Sequence, residues 1–137
     1  MNFAGRRASM CGLLIVLAIT VGCGQPDFYT CDGTVTLDGK PIGKLQITFS
    51  PDNPDDRPPI AMTDEAGKFQ MSTGSAMGVK PGNYKVVIED PGAADGRKTS
   101  TEPDYVYVVG RYSGEKTDLT YTADRHQSDY QISLKKE

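Results

Sequence analysis

Residues 60–89, IAMTDEAGKFQMSTGSAMGVKPGNYKVVIE, decide the fold of this chain. Two short runs that alternate apolar and polar residues flank DEAG at 64–67, which is typical of a tight antiparallel turn ending in glycine. After KPGN at 80–83, the side chains of Tyr84, Val86 and Ile88 share one face, as alternate residues of a strand do. The stretch therefore predicts a hairpin before residue 73 and a central strand over residues 84–89.

The residues before this stretch predict two more strands. Residues 30–37 alternate apolar and polar side chains, and DGKP at 38–41 has the composition of a turn. Leu45, Ile47 and Phe49 then alternate with polar residues, so a one-residue slip in register would bury three polar side chains. This part of the chain therefore adds two strands with a defined inner face.

The residues after it predict three more strands and no helix of useful length. The apolar run YVYVV at 105–109 is rich in β-prone residues and follows a loop without periodicity at 90–103. Short alternating runs occur at 119–122 and 130–134, with a predicted hairpin over 124–128 between them. Seven or so strands separated by regular turn signals predict an all-β, antiparallel β-sandwich.

The predicted core consists of the apolar side chains on the inner face of each strand. These are Val35, Leu37, Leu45, Ile47, Phe49, Phe69, Met71, Tyr84, Val86, Ile88, Leu119, Ile132 and Leu134.

Residues 1–22 resemble an export signal and are set apart from the fold. Arg6 and Arg7 precede an apolar run at 12–21 that is too short to span a bilayer, which needs about 20 apolar residues. TVGC at 20–23 resembles the bacterial lipobox, in which the cysteine is acylated, although Thr20 stands where an aliphatic residue is usual. The alternative is ordinary cleavage that leaves Cys23 as a free thiol.

This interpretation divides the chain into a lipoprotein signal peptide at 1–22, a tether at 23–29 and one domain at 30–137. Acylation of Cys23 would supply the two or more acyl chains that stable anchoring requires. Loss of residues 1–22 removes two arginines and no acidic residue, so the net charge of −3 becomes −5. An acidic surface offers no general attraction for nucleic acid.

Few residues in the domain carry the chemistry of a site. Cys31 is expected to be a small buried apolar residue, with a reactive thiol or an intermolecular disulfide as the alternatives. The acidic residues of the loop at 51–59 lack the spacing of a calcium site, and no metal or cofactor is predicted. His126, near Asp124 and Ser128, suggests a hydrolytic triad only superficially, because neighbours in one loop rarely reach triad geometry.

The tyrosines suggest one weak ligand surface. Tyr105, Tyr107 and Tyr121 would form a stacking platform for a glycan or peptide if their rings clustered on a solvent face. The alternative is that these rings alternate between the core and the surface of the sheet.

Three segments together resemble carboxypeptidase regulatory-like domains, which have a transthyretin-like (prealbumin) sandwich. They are GTVTLDGKPI at 33–42, TDEAGKF at 63–69 and PGNYKV at 81–86, in the order that the family has them. The tail, with RY at 111–112 and TDLT at 117–120, is similar to small exported lipoproteins of this type. The resemblance implies a non-catalytic accessory module, since the catalytic residues of the carboxypeptidases lie in a separate domain.

Transthyretin-like hydroxyisourate hydrolases are enzymes, but they rely on several histidines and a C-terminal Tyr-Arg-Gly-Ser. This chain has one histidine and ends in LKKE. We therefore expect an exported, lipid-anchored, non-catalytic module at the periplasmic or cell-surface face, with a structural or protein-binding role. Its partners would be the membrane and a protein or glycan of the cell envelope; a carbohydrate-binding module and a small hydrolase are the alternatives.

Overall fold

Ten short strands and one helix organise residues 22, 24 and 26–137, the part of the chain that this computed structural model describes. The helix is α1 (Pro103–Arg111), and single 3-10 turns lie at Ala93–Asp95 and Gly114–Lys116. The strands are β1 (Cys31–Leu37), β2 (Lys40–Pro41), β3 (Gln46–Pro51), β4 (Ile60–Met62), β5 (Lys68–Gln70), β6 (Ser72–Thr73), β7 (Ala76–Met77), β8 (Gly82–Glu89), β9 (Thr120–Ala123) and β10 (Gln127–Leu134).

The strands form two sheets, consistent with a β-sandwich-like fold. In the first sheet β1 lies between β10 on one side and both β2 and β5 on the other. The second sheet has the order β7-β6-β4-β3-β8-β9, and all of its pairs are antiparallel. The prediction of a mostly β, two-sheet fold with residues 84–89 in a central strand is therefore confirmed.

The turn predicted at 38–41 joins β1 to β2. Asp38 and Gly39 both have positive φ, 49° and 81°, as a two-residue type I′ hairpin requires. Leu37 pairs with Lys40 across it. An Asp-Gly pair is suited to this conformation because glycine has no Cβ and aspartate tolerates the left-handed region.

The turn predicted at 64–67 is present, but the strands beside it do not form one hairpin. The Asp64 carboxylate accepts hydrogen bonds of 2.9 Å from the N–H groups of both Ala66 and Lys68. The chain then leaves β4, which pairs with β3, and enters β5, which pairs with β1. Gly67, at φ 75°, packs so tightly on the Val35 carbonyl that a Cβ would lie 2.6 Å from its oxygen. This turn therefore crosses from one sheet to the other.

The hairpin predicted at 124–128 is wrong for a similar reason. β9 lies at the edge of the second sheet, whereas β10 lies at the edge of the first. β10 runs parallel to β1, with Val35 opposite Ile132 and Leu37 opposite Leu134. Alternation of side chains shows which face of a strand is buried, but it does not identify the neighbouring strand, so an all-antiparallel arrangement was the wrong expectation.

The strand predicted at 105–109 is also wrong, because these residues lie in α1. Pro103 occupies the first turn, where its missing N–H costs nothing, and Arg111 lies in the last turn, where a cation is favourable. Tyr105, Val108 and Tyr112 are the buried residues of this segment. Their spacing of three and four residues is helical, and it is incompatible with the alternation of a strand.

The core contains the residues predicted for it. Twelve of the thirteen predicted inward-facing side chains are buried, and Leu119, the thirteenth, is partly buried against them. Tyr105, Val108 and Tyr112 add the inner face of α1 to this core. The Tyr112 carbonyl accepts a hydrogen bond from the Ile88 N–H, and the Tyr112 hydroxyl donates one to the Lys135 carbonyl. The end of the helix therefore connects β8 of the second sheet to the residue that follows β10 in the first.

Nearly all of the predicted signal peptide, and the cysteine predicted to be lipidated, lie outside the residues that the structure describes. Residues 1–21, Cys23 and Gln25 do not belong to the described residues. Among the described residues, no helix is both long enough and apolar enough to cross a lipid bilayer.

Candidate functional site

The chain enters the sandwich through Tyr29. Its backbone pairs with Val79 through two hydrogen bonds of 2.8 Å, and its side chain is buried. Val79 lies two residues after the end of β7, so this bridge fixes the entry point beside the β7 edge of the second sheet. Pro26, Asp27 and Phe28 line an open cleft there with two residues that precede β8.

His126 holds the corner between β9 and β10 against this entry point. Its Nδ1 accepts a 3.0 Å hydrogen bond from Thr30 N–H, and its ring meets the Tyr29 ring edge-on at 5.2 Å. An N–H group is always a donor, so Nδ1 is the acceptor in this contact and Nε2 is the ring nitrogen left to donate. The Thr30 hydroxyl lies 3.0 Å from the same nitrogen.

The triad hypothesis required His126 in a cleft with a carboxylate aligned on it. The ring is instead exposed, and the nitrogen that a triad carboxylate would orient is occupied by Thr30. The geometry therefore gives this histidine a structural contact between the β9–β10 corner and the tether.

The three tyrosines predicted as a ligand surface do not lie on one exposed face. Tyr105 and Tyr121 are only 3% and 5% exposed, and Tyr107 is partly buried. Tyr105 donates its hydroxyl to the Lys44 carbonyl at 3.0 Å, and Tyr107 donates to the Lys135 carbonyl at 3.4 Å. The hypothesis of a stacking platform is therefore wrong for Tyr105 and Tyr121, whose rings fill the core.

Cys31 lies in an aromatic cluster between the two sheets. The Tyr121 ring packs at 4.7 Å from Phe49 and at 4.8 Å from Tyr130. Cys31 is fully buried beside them, and desolvation raises the pKa of its thiol to about 11. The thiol therefore stays protonated at neutral pH, in agreement with the expected small apolar residue and not with a reactive one.

The Tyr121 hydroxyl in this cluster is buried without a hydrogen-bond partner among the described residues. Burial and the neighbouring thiol raise the pKa of Tyr121. The packing of its ring against Phe49 and Tyr130 holds this uncharged hydroxyl in place, since the ring contributes most of the buried area.

Two further shallow clefts on the surface are lined by both polar and apolar groups. One, of about 480 Å³, lies over β8 and β9 beside Asn83, Lys85 and Thr122. The other, of about 250 Å³, lies beside Lys44 and Glu102. Within residues 22, 24 and 26–137, no three His, Cys, Asp or Glu side chains are grouped so as to hold a metal ion.

One surface feature was missed by the sequence reasoning. The described residues contain four exposed large apolar side chains, and three of them, Ile60, Met62 and Met77, lie in the second sheet. The signal was present in the sequence, because the short run IAM at 60–62 offers apolar side chains to both faces of its strand. Only the pairing of the strands brings Met77 to the same face.

No protein-family model, curated protein or solved structure matches this chain.

Proposed function

We propose that the protein is a non-catalytic, exported domain held at the membrane by an acylated Cys23. The observation that carries this proposal is the sequence TVGC at 20–23 behind an arginine-led apolar run, six residues before the chain is pinned at Tyr29. Six residues span at most about 20 Å when fully extended. A domain on so short a tether works at the membrane surface.

We further propose that the domain is of the carboxypeptidase regulatory-like type. Two of the motifs behind this resemblance lie where their chemistry is needed: DGKP forms the β1–β2 turn, and DEAG forms the turn between the sheets. The third, PGNY, starts the central strand β8. Motifs that serve turns and strand starts support an accessory module, because such residues stabilise a scaffold and perform no chemistry.

The partner that we favour is a protein of the cell envelope, bound along the free edge of β10. Among the described residues, this eight-residue strand pairs only with β1. The Leu134 carbonyl accepts a hydrogen bond from the Asp38 N–H, and the Tyr130 carbonyl lies against Gly33. The backbone groups of Leu134 and Tyr130 therefore point toward β1. Gln131 and Ser133 alternate with these residues, so their backbone N–H and C=O groups point outward, where an extended segment of a partner can pair as an added strand.

The intact mass of the protein purified from bacterial membranes tests the anchor. We expect a chain that starts at Cys23 and carries the added mass of its acyl chains. Cys23→Ser is the matched control, and we expect it to lose both the added mass and the membrane fraction. An unacylated chain cleaved near residue 22 would refute the anchor and make the protein a soluble exported domain.

A backbone substitution tests the free edge. Gln131→Pro removes one outward N–H and blocks strand addition, whereas Gln131→Ala removes the same side chain and keeps the N–H. We expect the proline variant alone to lose envelope proteins that cross-link to the wild-type chain in cells. Equal cross-linking by the two variants would refute binding through this edge.

A further inference from the structure

Three apolar side chains form a patch on the outer face of the second sheet. Ile60, Met62 and Met77, hereafter the β4–β7 patch, are 42%, 52% and 52% exposed. The fourth exposed large apolar residue among those described, Val106, lies on α1 and is 46% exposed. Single apolar residues at a surface are ordinary, but three on one face of a small domain are a candidate contact surface.

The strand pairing places these three side chains together. Ile60 pairs with Ser72, and Ser72 pairs with Met77, so the three residues form one row across β4, β6 and β7. Paired residues point to the same face of a sheet, and Met62 shares that face because it lies two residues after Ile60. Ala61, between them, points inward and is buried. The three side chains therefore share the outer face and point away from the core, with Ser72 between Ile60 and Met77.

The tether enters the domain beside this patch. Tyr29 pairs with Val79, which places the entering chain next to β7, at the same edge of the sheet. Val79 lies two residues after Met77, which belongs to the patch. The patch thus lies between the entry point and the centre of the second sheet.

The length of the tether limits how the domain can sit on a membrane. The six residues from Cys23 to Tyr29 reach at most about 20 Å. A domain of this size has a radius of gyration of about 13 Å, so its diameter exceeds the reach of the tether. The β7 edge is therefore held near the lipid headgroups whenever Cys23 is anchored, and the distant faces are not.

We propose that the β4–β7 patch lies against the lipid surface and orients the anchored domain. This inference rests on the proposed acylation of Cys23. The charges around the patch are mixed. Arg57 packs on Gly74 beside the patch, and Asp55 and Asp56 lie in the same loop as Arg57. The apolar side chains would therefore make the main contact with the lipid. Contact with the bilayer is therefore expected on both zwitterionic and anionic lipids, with little dependence on salt.

Methionine oxidation measures this contact without an added label. Met62 and Met77 are half exposed and accessible to hydrogen peroxide, whereas Met71 is fully buried and reports on unfolding. We would reconstitute the mass-verified acylated protein into phosphatidylcholine vesicles and follow oxidation of each methionine by peptide mass spectrometry. Relative to Cys23→Ser with the same vesicles, we expect oxidation of Met62 and Met77 to slow about fivefold, because burial of three apolar side chains favours the docked orientation.

A matched pair of variants separates this patch from general shielding by the membrane. Ile60→Lys places a charge in the patch and keeps both reporter methionines, and we expect it to restore fast oxidation. Val106→Lys makes the same change at a similarly exposed residue of α1 and should leave the protection intact. Slow oxidation of Met71 in every sample verifies that the variants are folded.

Each other result would overturn the inference. Acylated protein whose Met62 and Met77 oxidise as fast as in Cys23→Ser would refute the lipid contact alone and leave the anchor standing. Absence of acyl mass would refute the anchor and the inference together. Protection that persists in Cys23→Ser and rises with protein concentration would assign the patch to a second copy of the chain.

Discussion

The runs YKVVI at 84–88 and YVYVV at 105–109 both consist largely of tyrosine and β-branched residues, yet they form different structures. The first lies in β8, between β3 and β9, and buries Tyr84, Val86 and Ile88 with a period of two. The second lies in α1 and buries residues with helical spacing. Two runs of tyrosine and valine thus reach opposite conformations within one domain.

The difference teaches that flanking residues and available partners outweigh β propensity here. Pro103 and Asp104 immediately before the second run suit the first turn of a helix, as Arg111 suits the last. The chain after α1 returns to the β8 edge, where Ile88 N–H donates to the Tyr112 carbonyl and Val86 N–H donates to that of Leu119. A strand at 105–109 would compete with these segments for the same edge.

The largest effect should come from the strand side of this comparison. Ile88→Ala empties a fully buried position in β8 and is expected to lower the free energy of unfolding by about 2–5 kcal/mol. Val109→Ala, at a partly buried position of α1, should cost less than about 1 kcal/mol. Urea denaturation followed by circular dichroism measures both. Equal losses would show that the two elements contribute equally to the core.

The first tyrosine of each run offers a matched pair of hydrogen bonds. Tyr84 donates to the Lys80 carbonyl at 2.7 Å, four residues away, and Tyr105 donates to the Lys44 carbonyl at 3.0 Å, 61 residues away. Tyr84→Phe and Tyr105→Phe should each lower stability by about 1 kcal/mol. Only Tyr105→Phe should speed hydrogen exchange in α1, because its bond ties the helix to another segment. Faster α1 exchange in both variants would contradict this.

The same two tyrosines predict a dependence on alkaline pH. Burial raises the pKa of Tyr84 and of Tyr105 above the ordinary value of 10. An acid whose pKa is higher in the folded state stabilises the fold fully below the unfolded pKa and loses that contribution as pH rises through the folded pKa. We therefore expect the urea midpoint to fall above pH 10, and to fall less steeply in each Phe variant. Parallel curves would contradict the role of these hydroxyls.

Val→Ala substitutions should cause the smallest changes in stability, but the sign of the change should differ between the helix and the strand. Val106→Ala, at an exposed position of α1, should raise stability by about 0.5 kcal/mol, since alanine is the better helix former. Val87→Ala in β8 should lower it by about 1 kcal/mol, because valine favours strands and this side chain is 9% exposed. Thermal denaturation of both variants measures the two changes in stability. A loss of stability in Val106→Ala would argue against the helix.

The candidate surfaces were less predictable than the core. Burial of Cys31 followed from the usual behaviour of a lone cysteine, whereas the tyrosine platform failed because α1 turns Tyr105 inward and β9 turns Tyr121 into the cluster with Phe49. The contact of His126 with Thr30 joins residues 96 positions apart. A local sequence pattern cannot predict a contact between residues so far apart in the chain.

The sequence by itself determined which side chains are buried and where the chain turns. Alternation at Leu45, Ile47 and Phe49 and the Asp-Gly pair at 38–39 follow from side-chain polarity and backbone sterics, which act between near neighbours. Only the tertiary structure decided that β10 lies parallel to β1, that residues 64–67 cross between the sheets, and that 105–109 is helical. Those outcomes depend on backbone partners and packing surfaces that come from distant parts of the chain.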